Sequence, residues 1–449
     1  MEQQLVDMTT RVEVLEKALG TATLMNTEIF YWWCTALMIA IHAGFLAYEM
    51  GASRAKNALA SGMKNLIAFA FLVPTFFYVG WWIYLSFPGG LTYSEAGNAG
   101  LPWAANMGPN LSDQASGIFY AAFTLFAATT ASIMSGSVIE RIRISGFAIL
   151  AVFLGSVVWI LGAAWGWHPG GWLTATFGLH DTGAAGCVHM IAGFFTLGVL
   201  INLGPRLGRY NKDGTINPIV GHNMPMSLIG LMLIVMGFFG FLGGCIIYTG
   251  GGWTTIYNTP TTLSAFGFNT LMAVAGGMIG SYLVTRDPFW MMSGALIGVI
   301  SSASGLELYY PGLAFLISFA GGCVMPKINT ILVERFKIDD AVGAVAVHGF
   351  GGLWGLLAAG IFASGYPNVI EGAPPVSFFG QFASAMVFLL LGFIPGYALS
   401  YVLKMFGLLR VAEAAEVTGL DKAEVPARAY PESAIPAFSA DMVSPSPAE

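Results

Sequence analysis

The sequence predicts an all-α polytopic membrane protein of eleven transmembrane helices, an inverted 5+5 repeat plus a C-terminal helix. Three observations predict it. Hydrophobic residues make up 56% of the 449 and charged residues only 9%, with a mean hydropathy of +0.71, whereas a soluble domain carries roughly 25% charge. Eleven apolar stretches follow one another along the chain, each approaching the ~20 residues that a helix needs to cross a bilayer. Every Lys and Arg except Arg11 and Lys17 falls after an odd-numbered stretch, the pattern of a chain whose alternate loops share one side of a membrane.

Residues 1–26 form a polar N-terminal extension without the basic end, apolar middle and small-residue cleavage site of a signal peptide. Leu5, Met8, Val12, Leu15 and Leu19 recur at heptad spacing, and Gly20 is placed to stop the helix. The seam is shorter than the three or four heptads that define a coiled coil, so a short coiled coil and a plain amphipathic helix both fit it.

Residues 27–407 form the membrane domain, with spans at 28–49, 65–87, 116–138, 145–166, 186–204, 224–248, 262–284, 289–306, 311–326, 341–364 and 377–403. Arg54, Lys56 and Lys64 follow the first; Arg141 and Arg143 the third; Arg206, Arg209 and Lys212 the fifth. Arg286 follows the seventh, Lys327, Arg335 and Lys337 the ninth, and Lys404, Arg410, Lys422 and Arg428 the last. The positive-inside rule makes that side cytoplasmic, so the chain is multi-pass in the cell (inner) membrane, N-terminus outside and C-terminus inside. Glu49, near the inner end of span one, is expected to pair with Arg54 or Lys56. Residues 408–449 are read as a cytoplasmic tail, disordered beyond Pro431, where Pro, Ser and Ala dominate.

Five spans in each half force opposite orientations, as in many transport proteins. The fifth span of each half carries a histidine, His189 in HDTGAAGCVHMIAGFFTLGVLINLG and His348 in DDAVGAVAVHGFGGLWGLLAAGIFA. An ionisable group at that depth is costly and marks a functional site unless backbone carbonyls satisfy it. Gly183, Ala184, Ala185 and Gly186 precede the first, and Gly349, Gly351 and Gly352 follow the second; small residues let two backbones approach closely. His42 and His180 are read as structural. Cys34, Cys187, Cys245 and Cys323 lie in or beside apolar runs without metal-ligand spacing. No metal set, cofactor or nucleophile is expected, and no nucleic-acid partner.

From about residue 27 to 430 the chain resembles the ammonium transporter (Amt/Mep/Rh) superfamily, its bacterial Amt branch in particular. KIDDAVGAVAVHGFGGLWGLLAAGIFA is the most specific match, with DxxxxxxxH in HDTGAAGCVHMIAG next. GFLAYEMGASRAKNAL, SVIERIRISGF, HNMP at 222–225 and LLRVAEAAEVTGLD at 408–421 follow the family's order. The resemblance implies a homotrimer with one narrow pore per subunit. It makes His189 and His348 the twin histidines of the lumen, and Phe126 and Phe241 the stacked phenyl gate. Asp181 becomes the acid beneath the outer vestibule, a role compatible with capping the helix that follows. Trp167 and His168 compete for the vestibule's aromatic position, because AWGWHPGGWL is one residue longer than the family's pattern. It also implies a cytoplasmic PII signal protein as partner, whose loop enters the pore, and the 408–421 stretch, with Glu413, Glu416 and Asp421, is expected to pack under the basic inner loops.

Ammonium differs from potassium in donating hydrogen bonds and in being able to lose a proton. An aromatic cage recruits the cation, a phenyl constriction opposes passage of an ion, and two imidazoles sharing one hydrogen bond serve ammonia beyond it. The expected function is therefore an ammonium/ammonia channel-transporter, with methylammonium as analogue, and not an enzyme; the alternative is an ammonium sensor of the same fold. The chain departs from the family pattern at the vestibule. Thr182 replaces an aromatic, Phe238 a Trp, Leu242 an Asn, and Cys245 a serine hydroxyl that faces the cation. Gly343 stands where an acid is usual five residues before His348, and Val425–Pro426 replaces a His-Gly.

Overall fold

The computed structural model describes residues 2–108, 111, 114–368 and 370–430; the tail beyond Pro431 lies outside them. Among the described residues ten helices are long and apolar enough to cross a membrane. The first half comprises α1 (Glu2–Ala52), α2 (Ala58–Ser86), α3 (Gln114–Ser137) and a fourth span in three pieces: α4 (Ile144–Phe153), a π-helical turn (Leu154–Trp159) and α5 (Ile160–Gly166). A short α6 (Trp172–Phe177) leads to the fifth span, a π-helical turn (Ala185–Met190) continued by α7 (Ile191–Leu203). The second half comprises α8 (Met224–Gly243), α9 (Leu263–Thr285), α10 (Pro288–Ser302) and α11 (Pro311–Glu334), then a second π-turn (Val345–Phe350) with α12 (Gly351–Phe362). The last span is α13 (Phe378–Met405), followed by α14 (Glu413–Thr418) and α15 (Leu420–Glu424). α1 packs along α8, the first helix of one half on the first helix of the other, while α9 lies along α11 and α7 along α13.

Four expectations need correction. The leader is not a separate helix ending at Gly20, because α1 runs unbroken for 51 residues. One glycine costs a helix about 1 kcal/mol, too little to end one anchored in a span on its C-terminal side. Met8, Val12, Leu15 and Leu19 are all at least half exposed on it. Span eight is short: α10 has 15 residues and gives way to a 3-10 turn at Ala303–Gly305. The carbonyls of Ala303 and Ser304 there accept the backbone N–H of Gly183 (2.9 Å) and Thr182 (3.2 Å) instead of continuing a helix. Span six ends at Gly243, not at 248, and the link to α9 contains a small antiparallel sheet, β1 (Ile246–Tyr248), β2 (Trp253–Thr255) and β3 (Pro260–Thr261), with Ile246 opposite Thr255 and Trp253 opposite Thr261. Tyr31 on α1 holds it, donating to the Ile246 carbonyl at 2.8 Å.

The fourth correction is Glu49. It pairs with Lys64 at 3.2 Å, accepts from Asn65 at 3.0 Å and is also bonded by Ser135. Arg54 instead reaches Glu140 at 2.7 Å, and Lys56 donates to the carbonyls of Glu416 and Val417. One helical turn on α1 explains the difference: Glu49 is completely buried, and α2 presents Lys64 to the same interior face.

The basic loops meet at one end of the molecule. Asp339 accepts the Arg206 backbone N–H at 2.8 Å and its Nε at 2.9 Å, and lies 3.4 Å from Arg209. Burial opposes the charge on Asp339, but the hydrogen bonds from Arg206 and the charges of Arg141 and Arg206 hold its carboxyl well below the usual range. Glu140 is lowered likewise: burial opposes it, and Arg54 and Arg206 prevail. The C-terminal segment straps this face. Glu416 accepts from the Leu207 N–H (2.6 Å) and Arg410 (2.7 Å), and Asp421 accepts the N–H groups of Leu59 and Ala60 at the start of α2.

Candidate functional site

A π-turn holds five-residue rather than four-residue hydrogen bonds and recurs at functional sites. Two of the three here carry the paired histidines. The His189 N–H reaches the Ala184 carbonyl, five residues back, at 3.2 Å. The residues five before each histidine, Ala184 (φ 68°) and Gly343 (φ 76°), are both left-handed. At Gly343 a Cβ would lie 2.8 Å from the Trp290 ring, so an acid could not occupy this position without moving Trp290.

Each turn is also braced by an aspartate eight residues before its histidine. Asp181 accepts the Gly186 and Cys187 N–H groups through Oδ2 at 2.9 and 2.8 Å, and the Ser304 hydroxyl through Oδ1 at 2.7 Å. Asp340 accepts the Gly343 N–H at 2.9 Å and the Val345 N–H at 2.8 Å. The second aspartate went unread in the sequence, although the repeated Asp-x7-His spacing marks it. Asp181 stands at the end opposite the basic loops. Asp340 lines a cavity of about 300 Å³ at the basic end, together with Arg206, Arg209 and Trp290. The two halves therefore repeat one device in opposite senses.

The imidazoles meet. His189 Nδ1 and His348 Nδ1 are 3.0 Å apart, with ring centroids at 5.1 Å and 28° between planes. Both side chains are essentially fully buried. Glycines permit the approach: a Cβ on Gly193 would lie 2.2 Å from the Gly349 nitrogen, and one on Gly352 would lie 2.2 Å from the Ala185 carbonyl oxygen. A neutral pair sharing one Nδ1–H···Nδ1 bond leaves one Nε2 lone pair and one Nε2–H for a guest.

Above the pair stands a column of rings. Phe241 is 5.7 Å from His189, Phe126 is 4.3 Å from Phe241, and Trp167 meets Phe126 edge-on at 5.4 Å. Phe126 and Phe241 have no exposed surface, so the phenyl pair closes the column. Trp167 donates from Nε1 to the Asp181 carbonyl at 2.9 Å. His168 turns away against Tyr84 (5.1 Å) and accepts the Gly170 N–H, so of the two only Trp167 joins the column. Cys245 is buried and its thiol turns back to the Phe241 carbonyl at 3.5 Å. Beside Asp181, His180 does more than brace the backbone. Gln381 clamps its N–H and carbonyl, while its Nε2 lies 2.7 Å from Glu307 Oε1, a partner unread in the sequence.

Comparison with known proteins agrees with this geometry. Residues 29–430 match the family model described as Ammonium Transporter Family. The chain is 33% identical to ammonium transporter Amt2 of Archaeoglobus fulgidus, over 89% of this chain and 86% of that protein. It is 28% identical to the ammonium transporter of Bacillus subtilis, over 91% and 99%. Among solved structures it is similar to a sensor Amt protein, with a TM-score of 0.76 and 25% identity over 90% of this chain and 99% of that one.

Proposed function

Because this chain belongs to the ammonium transporter family, a family of transporters and not of enzymes, we propose that it recruits ammonium and conducts it as ammonia through the His189–His348 lumen. One observation carries the reading: two buried imidazoles in hydrogen-bond contact, directly beneath a closed phenyl pair. The phenyl constriction disfavours a hydrated ion, and the imidazole pair offers ammonia one donor and one acceptor. Phe126 and Phe241 are the gate, Trp167 the aromatic wall above it, and Asp181 the brace that aims the π-turn. Cys245 is a weak ligand, its thiol turned inward.

The test is conduction into liposomes. Wild-type protein is expected to pass ammonium or methylammonium and exclude potassium, and His189→Ala to lose selective conduction, since removing one imidazole leaves its partner's nitrogen unpaired. Wild-type rate and selectivity in His189→Ala would sink the twin-histidine reading.

A sensor is the second reading. It is favoured by the likeness to a sensor Amt protein together with the apolar Leu242 and inward-turned Cys245 at the vestibule. Saturable binding without uptake in transporter-deficient cells would select it.

Finer points complete the proposal. The chain is an Amt-branch protein by its ordered motifs; a tree of full-length chains grouping it with Mep or Rh proteins would overturn that. It sits in the cell membrane with its basic end cytoplasmic and assembles as a homotrimer. Residues 1–20 of the three copies form a parallel helical cap outside. A PII signal protein docks on the strap of residues 408–430, and failure to co-purify under nitrogen-replete conditions would count against it.

A further inference from the structure

We propose that Glu307 is a cation-binding residue, holding ammonium beside Asp181 at the end of the pore opposite the basic loops. The proposal rests on the reading of the chain as an ammonium conductor and names the residue that recruits the cation.

The Glu307 side chain is completely buried, on the turn that follows the early end of α10. Its two oxygens differ. Oε1 is crowded, with His180 Nε2 at 2.7 Å and the Thr182 hydroxyl donating at 2.6 Å. Oε2 is buried and has no partner, the only carboxylate oxygen in that condition among the described residues. Asp181 is the contrast: it already receives two backbone N–H groups and a serine hydroxyl, so a guest cation would have to displace structural bonds that aim His189.

The two carboxylates are neighbours. Ser304 and Glu307 lie on one turn, the first bonded to Asp181 and the second to Thr182, the residue after Asp181. No Lys or Arg among the described residues forms an ion pair with either. Neutral His180 donating one hydrogen bond satisfies a lone pair but not the charge, and protonated His180 still leaves Oε2 open. A buried charge in that state is costly unless an ion completes it. The turn is held rigidly by Asn269, which donates to the Leu306 and Tyr309 carbonyls at 2.7 and 2.8 Å. Asn269 Oδ1 and the Tyr309 hydroxyl are buried and unpartnered as well. Tyr257 stacks on His180 at 4.8 Å and donates to the Gly166 carbonyl next to Trp167, joining the His180–Glu307 pair to the aromatic wall. A monovalent cation with N–H donors suits a buried charged oxygen that no donor completes. Glu307 thus supplies the oxygen that Leu242 and Cys245 do not.

The experiment measures ammonium-dependent thermal stabilisation in detergent, at constant ionic strength against sodium, and the concentration dependence of flux in liposomes. Glu307→Gln keeps the shape and the Thr182 bond but not the charge. It should raise half-saturation about tenfold in both assays, as the loss of a charge-assisted hydrogen bond predicts, with little change in maximal flux. Unchanged half-saturation overturns the proposal, including the case in which Glu307→Gln only lowers the melting temperature in sodium, as a mere brace would. His348→Ala separates the two readings: it should lose flux and keep the wild-type half-saturation for stabilisation. Should wild-type protein pass no ammonium, conduction falls while stabilisation still judges Glu307. If Glu307→Gln does not fold, Thr182→Val decides: removing one of the two donors on Oε1 should lower half-saturation, and no change overturns the proposal.

Discussion

Gly193→Ala tests whether backbone approach is what holds the imidazole pair together. The new Cβ would sit 2.2 Å from the Gly349 nitrogen and 2.4 Å from its Cα, both backbone atoms with no rotamer to yield. Ordinary contact begins near 3.4 Å, so the two fifth spans must part by about 1.2 Å. If they part rigidly, the Nδ1–Nδ1 distance of 3.0 Å opens to about 4.2 Å, beyond any hydrogen bond. Overpacking of this kind costs about 1–3 kcal/mol of stability, and the broken pair leaves two unpaired nitrogens in the lumen. Gly198→Ala is the control on the same helix: its Cβ would strike the Tyr397 nitrogen on α13 at 2.5 Å, a comparable clash directed away from the histidines. In liposomes Gly193→Ala should lose about tenfold or more of ammonium flux, while Gly198→Ala loses melting temperature without that loss of flux. Equal flux in Gly193→Ala and wild type, at equal reconstitution, would refute the reasoning.

Two further outcomes are expected. Cysteine in place of Val12, half exposed on the leader seam, should form disulfides between subunits if the proposed trimer brings three tethered leaders together at high effective concentration. Labelling by an impermeant thiol reagent from the cytoplasmic side alone would overturn both the cap and the orientation. The inner cluster should set acid stability. Asp339 and Glu140 have pKa values depressed on folding, so their contribution is full above the unfolded value of about 4 and is lost as pH falls through the folded values. Melting temperature should hold from pH 8 to about 5 and fall below about 4. Asp339→Asn should remove much of that dependence at a cost of about 3–5 kcal/mol; an unchanged acid profile would refute it.

The two histidines of the central column were readable because each is an exception to its surroundings, whereas Phe126, Phe241 and Trp167 stood out only through the family resemblance. An imidazole in an apolar span, or small residues flanking it, announces itself at any position along the chain. Partnerships across helices were harder to read. Glu49 and Lys64 are 15 residues apart on different helices, and the nearer Arg54 and Lys56 drew the expectation away. His180 and Glu307 come from opposite halves, and only the early unwinding of α10 brings them together. That unwinding is itself paid for by hydrogen bonds to Thr182 and Gly183, which no local pattern encodes. Asp340 was legible as a spacing but was overlooked because Asp339 and Asp340 are adjacent. They divide the work, one neutralising arginines and the other capping a turn.

The two π-turns make the histidine contact a matter of counting. Each holds one residue more than a regular helical turn, and one residue is about 100° of azimuth on an α-helix. Delete any single residue between Ala184 and His189, and a regular helix forms whose imidazole faces a different neighbour. The same holds between Gly343 and His348. Side chains along these stretches can therefore drift, provided they stay small, while their number cannot. A relative that kept both histidines but was one residue shorter in either stretch would have the imidazoles and lack their contact.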